Sequence, residues 1–143
     1  MRALKPLKMI RLTVTALTLF AFAFSCTEET DDFREELNSI ASTLNEKCPQ
    51  MIDSETRIDG LSFEEPNTLT YHYTLVNVDV AKVDTVLFRR KLWPGILSNI
   101  KVSREMKPLR DHHTTLCYVY ADKQNQFIYR FTITDKDYGT PTP

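Results

Sequence analysis

The chain has 143 residues, 18 of them basic and 19 acidic, for a net charge of −1. A length of this order bounds it to one small domain, and near-neutrality without a basic stripe excludes nucleic acid as an expected partner. Only three glycines occur, Gly60, Gly95 and Gly139; they are too scattered for a phosphate-cradling loop or a dinucleotide fingerprint, and HExxH, GxSxG and paired CxxC motifs are absent.

Arg2, Lys5, Lys8 and Arg11 open the chain with no acidic residue among them, and residues 12–24 follow as an uncharged run of 13. A basic start and an apolar stretch of this length predict a secretory signal over residues 1–25. Spanning a bilayer takes about 20 apolar residues, more than the run supplies. The run ends in "AFSC", which resembles the lipobox of bacterial lipoproteins. The resemblance implies that Cys26 receives a diacylglycerol and becomes the new N-terminus; a conventional cleaved signal would leave it a free thiol. Several acyl chains anchor far more firmly than one, because each buried methylene adds about 0.8 kcal/mol.

Beyond residue 25 the chain carries 14 basic residues against 19 acidic, a net −5. Residues 27–36 hold Glu28, Glu29, Asp31, Asp32, Glu35 and Glu36 against Arg34, so this segment carries the whole imbalance. Residues 26–36 are expected to be a lipidated acidic tether, extended by self-repulsion. "CTEETDD" also resembles the acidic tag that sends some lipoproteins to the outer face of the outer membrane. The expected address is therefore an outer-membrane lipid anchor, with the outward-facing side favoured over the periplasmic one.

The 118 residues from Cys26 onward include a single domain, expected over 37–136. From 31 to 47, Phe33, Leu37, Ile40, Ala41 and Leu44 recur at helical spacing, with acidic residues in the first turn, where the helix dipole favours them. Pro49 forbids continuation. Two extended stretches, 56–64 and 67–79, flank the turn signal "EEPN". In the second, Leu69, Tyr71, Tyr73 and Leu75 point one way and Thr70, His72 and Thr74 the other, the signature of a sheet with one buried face.

Residues 83–101 return to helical spacing, interrupted by "WPG"; Pro94 predicts a kink, or two helices meeting near residues 90–93. Arg89, Arg90 and Lys91 on this helix read as a solvated face. "TTLCYVYAD", the polar turn "KQNQ" and "FIYRFTIT" form a second hairpin, and residues 137–143 are expected to be a disordered tail, with fraying from Asp135 on. The order helix-hairpin-helix-hairpin (αββαββ) predicts an α+β domain: a four-stranded antiparallel sheet with both helices on one face. The opposite face, with His72, Thr74, Arg130 and Thr132, is left open to solvent or a partner.

"CPQMIDSETRIDG", "LTYHYTLVN" and "MKPLRDHHTTLCYVYADK" together resemble a family of small exported bacterial α/β proteins with a P-x-x-x-D-x-x-T-R opening. The resemblance covers most of residues 48–134. It implies the fold and lends no activity.

Few residues suggest chemistry. Asp111, His112 and His113 sit together before a strand, but adjacent histidines on an extended chain point in opposed directions, so no metal site is expected. Cys48 and Cys117 are an even remainder that permits a disulfide in an exported protein, or two buried thiols. Asp53, Thr56 and Arg57 read as a structural turn, with an Arg57-based anion or partner contact as the functional alternative. The tyrosines at period two read as core filling. Tyr118 and Tyr120 are the exception, expected on the open face beside His72 if Cys117 and Val119 face the helices.

The expected function is thus a lipid-anchored, non-enzymatic envelope module without a cofactor. It would contact a protein or an envelope polymer through Tyr118, Tyr120, His72, Arg130 and Arg57. An inhibitor or immunity-type protein is the alternative, and a hydrolase using His112 or His72 ranks third.

Overall fold

A computed structural model describes residues 28–139, with side chains from Asp32. The expected signal over 1–25, the lipidation site Cys26 and residues 140–143 lie outside the described residues. Residues 34–143 form one compact unit and residues 1–33 another, of which only the opening of the first helix is described.

Helix α1 spans Glu28–Asn45. Most of the acidic stretch expected as an extended tether is thus helical. Leu37 and Ala41 turn inward and are buried, four residues apart on one face. Strands β1 (Gln50–Met51), β2 (Thr56–Glu64) and β3 (Thr68–Leu75) follow. A short 3-10 helix at Val80–Lys82, helix α2 (Thr85–Val102) and helix α3 (Lys107–Asp111) then cross to β4 (Thr115–Asp122). Strand β5 (Phe127–Ile133) and helix α4 (Asp135–Tyr138) close the fold. Among the described residues no helix is long and apolar enough to cross a membrane.

The sheet is mixed and five-stranded, in the order β1-β2-β3-β4-β5. This corrects the expected four-stranded antiparallel sheet in two respects. Two-residue β1 pairs with β2 through Gln50↔Ile58 and Met51↔Arg57, too short to show any alternation in sequence. The central pair β3–β4 is parallel, in register from Thr68↔Thr115 to Leu75↔Asp122. The reason is length: 18 helical residues span about 27 Å, matching the roughly 26 Å of an eight-residue strand. Helix α2 therefore carries the chain back to the end where β3 began, and β4 must run the same way.

Asp84 caps α2, its Oδ1 accepting from the N–H groups of Val86 and Leu87 at 2.9 Å. The helix then runs unbroken through Pro94 rather than splitting in two. Its inner face supplies Phe88, edge-on to Tyr120 at 5.4 Å, and Trp93, stacked on Phe131 at 6.3 Å. Ile100 is fully buried. On the same side of the sheet, Ile40 and Leu44 of α1 share a concavity with Leu61 and Tyr71, and Asn45 at the helix end grips the Leu61 backbone. Both long helices thus cover one face, as expected. The segment 135–138, expected to fray, instead forms α4. Thr134 and Asp137 make a capping box, and the buried Tyr138 hydroxyl donates to the Thr114 carbonyl at 2.9 Å.

Asp122 locks the far end of β4. One carboxylate oxygen accepts from the Gln124 and Gln126 N–H groups at 2.9 and 2.8 Å, closing the β4–β5 turn. The other accepts from Val80 at 3.0 Å, fixing the start of the crossover. Burial pushes this carboxyl up, but the three N–H donors and the charge of Lys123 outweigh it and hold the group below its ordinary value.

Candidate functional site

The sheet presents two chemically opposite faces. Under the helices lies a plate of near-parallel tyrosine rings: Tyr71 on Tyr118 at 5.1 Å, Tyr73 on Tyr120 at 5.2 Å, and Tyr73 beside Tyr118 at 6.3 Å. The parallel register causes this, placing Tyr71 beside Tyr118 and Tyr73 beside Tyr120. Burial raises every one of these phenols, Tyr71 and Tyr120 to about 12 and Tyr73 and Tyr118 further. The Tyr118 hydroxyl is buried with no hydrogen-bond partner.

This placement corrects the expected open-face pair. Tyr118 and Tyr120 are 6% and 9% exposed and point toward the helices, away from His72. The side chains on the open face of β4 are Cys117, Val119 and Ala121.

That open face is a polar network. His72 Nε2 and Ser62 Oγ lie 2.9 Å apart. Arg57 pairs with Asp59 at 2.5 Å, and the other Asp59 oxygen accepts from the Thr74 hydroxyl at 2.6 Å. Arg130 Nη2 reaches Cys117 Sγ at 3.1 Å, a contact that raises the guanidinium's pKa. Arg57 therefore does not pair with Asp53. Asp53 instead accepts from the Glu55 and Thr56 N–H groups at 2.8 and 2.7 Å, which hold its carboxyl below the ordinary value. Of the five expected contact residues the structure groups His72, Arg130 and Arg57 on one face and leaves Tyr118 and Tyr120 on the other.

Cys48 and Cys117 are free thiols, not the permitted disulfide. Cys117 lies on the open face beneath Arg130, whereas Cys48, just past α1, is near enough to Tyr73 on the helix side to raise that phenol. The sheet stands between them. His112 and His113 follow α3, and the His113 ring faces Asp135 at 3.5 Å. Among the described residues no three His, Cys, Asp or Glu side chains converge on a metal position.

Two concavities flank the helices. One, of about 390 Å³, lies between α1 and the sheet and is lined by Ser39, Ile40, Thr43, Leu44, Leu61 and Tyr71. The other, of about 460 Å³, lies between α2 and β5 and is lined by Val86, Arg89, Arg90, Trp93, Pro94 and Tyr129. Arg89 stands over the Trp93 ring at 5.7 Å. Sequence reasoning passed over this second groove. Its only linear trace is the cluster Arg89, Arg90, Lys91, and that gains meaning only once β5 lies alongside.

A family model described as "Domain of unknown function (DUF8479)" matches residues 32–130. Among solved structures, a pilotin of the type 2 secretion system from Vibrio vulnificus superposes with a TM-score of 0.63 at 12% identity. The match covers 78% of this chain and 96% of that one. A candidate secreted protein from Pseudomonas aeruginosa superposes with a TM-score of 0.59 at 13% identity, covering 80% and 100%. At these identities the likeness is one of fold. No curated protein matches the chain.

Proposed function

The chain belongs to the family described as a domain of unknown function (DUF8479), and we propose that it is a lipid-anchored envelope protein whose domain works by binding another protein. It is held at the outer membrane through acylated Cys26, facing outward, and it performs no reaction. The observation that carries this reading is the fold itself. A pilotin, a secretion-system component, is superposable over nearly its whole length. The polar side chains of the open face are paired with one another, Ser62 with His72 and Asp59 with Arg57 and Thr74, which gives a partner a fixed polar surface to meet. The "AFSC" resemblance supports the anchor.

Cross-linking of the full-length chain in intact cells tests the reading, with Cys26→Ala alongside. The expected result is capture of one envelope protein, and release of the Cys26→Ala chain from the membrane fraction; a tight stoichiometric complex with an enzyme would instead favour the inhibitor reading. If nothing is captured and protease added to cells cannot reach the domain, the outward-facing partner is ruled out.

A further inference from the structure

The groove between α2 and β5 combines three features. First, β5 is the edge strand among the described residues: β4 pairs with one side and no described strand pairs with the other. Helix α4 follows directly after Ile133 and packs at that end, so the stretch around Phe127 and Tyr129 is where the free edge lies. An exposed edge offers alternating backbone donors and acceptors to any extended chain. Second, the groove beside that edge is apolar at its floor, with Trp93, Pro94 and Tyr129, and Val86 and Phe127 nearby are 66% and 63% exposed. Third, its rim is cationic. Arg89 and Arg90 line it, Lys91 follows, no carboxylate lines it, and neither guanidinium has an ion-pair partner among the described residues.

We infer that this groove docks an extended, acidic segment of a partner protein, which adds to β5 as a sixth strand. This rests on the binding-module reading and names its surface and the partner's chemistry. Side chains of an added strand alternate between the two faces of the sheet. One set would enter the space beside α2, where apolar groups meet Trp93 and Tyr129 and carboxylates meet the two guanidinium forks. The charge argues against a second copy as occupant. Edge-to-edge pairing of two β5 strands about a two-fold axis would place both α2 helices on one side, bringing Arg89 and Arg90 of one copy toward those of the other.

Trp93 is the chain's only tryptophan and reports on the groove directly. The probe is an acetylated, amidated octapeptide alternating glutamate with valine and phenylalanine, titrated into the protein at low salt. The expected result is a saturable change in Trp93 emission, with amide shifts in heteronuclear spectra confined to β5 and α2. Exchanging glutamate for lysine, or N-methylating alternate peptide bonds, abolishes it. Arg89→Glu with Arg90→Glu, both on the surface, weakens binding roughly tenfold while the circular dichroism is unchanged. The inference is overturned by absence of binding, by equal binding of the lysine or N-methylated peptide, or by shifts mapping to the open face around His72 and Arg130. Shifts on the open face would leave the binding-module reading standing, and so would a partner captured in cells by the Arg89→Glu, Arg90→Glu chain as efficiently as by the native one. Concentration-dependent dimerisation through β5 without peptide would also overturn it.

Discussion

The side chain of Asn45 pairs with the backbone of Leu61 as a neighbouring strand would: its Oδ1 accepts from the Leu61 N–H at 2.7 Å and its Nδ2 donates to the Leu61 carbonyl at 2.8 Å. β1 covers the edge of β2 only at Arg57 and Ile58, so the last residue of α1 seals the next open position by amide mimicry. The arrangement also explains Gly60. A Cβ there would lie 2.8 Å from Asn45 Oδ1, which is tethered by its hydrogen bond and cannot swing away freely.

The consequence is a coupled pair. Asn45→Ala is expected to cost about 1–2 kcal/mol, the net worth of two hydrogen bonds, and Gly60→Ala a similar amount by displacing the same amide. In the Asn45→Ala background, Gly60→Ala should be neutral or stabilising by up to about 1 kcal/mol, because alanine restricts the unfolded chain more than glycine does. Urea unfolding of the four proteins measures the cycle. Additive costs would show that the two residues do not share one contact.

Two buried hydroxyls should respond oppositely to removal. The Tyr118 hydroxyl has no partner, so Tyr118→Phe relieves an unsatisfied group and should leave stability unchanged or raise it by about 1 kcal/mol. The Tyr138 hydroxyl donates to Thr114, so Tyr138→Phe should lower stability by about 1 kcal/mol. Thermal melts of the pair decide whether burial alone or the missing partner matters.

The tyrosine plate also sets the alkaline limit. Unfolded tyrosines release their protons near 10.0, whereas burial holds Tyr71 and Tyr120 in the folded protein to about 12. Folded-state pKa values above the unfolded ones mean that stability is intact below about pH 10 and declines as pH rises toward 12. Tyrosinate absorbance should therefore rise together with loss of secondary structure, not ahead of it. An early, non-cooperative absorbance rise from the plate would contradict its burial.

At the acid end Asp122 should dominate one part of the profile. Its carboxyl is held below the ordinary 3.8 by the N–H groups of Val80, Gln126 and Gln124, so the ionised form stabilises the fold above that pH and the contribution is lost as pH falls through the lower folded value. Asp122→Asn is expected to be less stable at neutral pH but to lose part of the acid slope. Equilibrium unfolding at several pH values below neutrality measures both. An unchanged slope would mean the three amides do not favour the charged form.

Periodicity carried most of the secondary structure, because the long strands at 56–64, 68–75, 115–122 and 127–133 alternate cleanly or sit between turn signals. Strand direction was not legible. A hairpin fixes the pairing within itself, while the sense of β4 relative to β3 depends on how far α2 travels. The side assignment of β4 was equally hidden: Leu116, Cys117, Tyr118 and Val119 are all apolar, so alternation along "LCYV" has no sign. Arg89 and Arg90 looked like an ordinary wet helix face because nothing in the linear chain says that β5 ends its sheet beside them. Features set by local spacing could be read, and features set by which surfaces meet could not.

The two thiols provide a final check on the placement of β4. Cys117 is 1% exposed beneath Arg130, while Cys48 is partly accessible. In protein beginning at Thr27, without reductant, iodoacetamide should modify Cys48 under native conditions and leave Cys117 at least about tenfold slower, since a buried thiol reacts only through local opening. Arg130→Ala removes the guanidinium that covers the sulfur and should speed modification of Cys117 severalfold with little change in global stability, because the arginine is itself exposed. Peptide mass mapping distinguishes the sites. Equal native rates would place Cys117 on an uncovered surface. Failure of both thiols to react in denaturant without reductant would mean a bridge, which the observed separation of the residues across the sheet forbids.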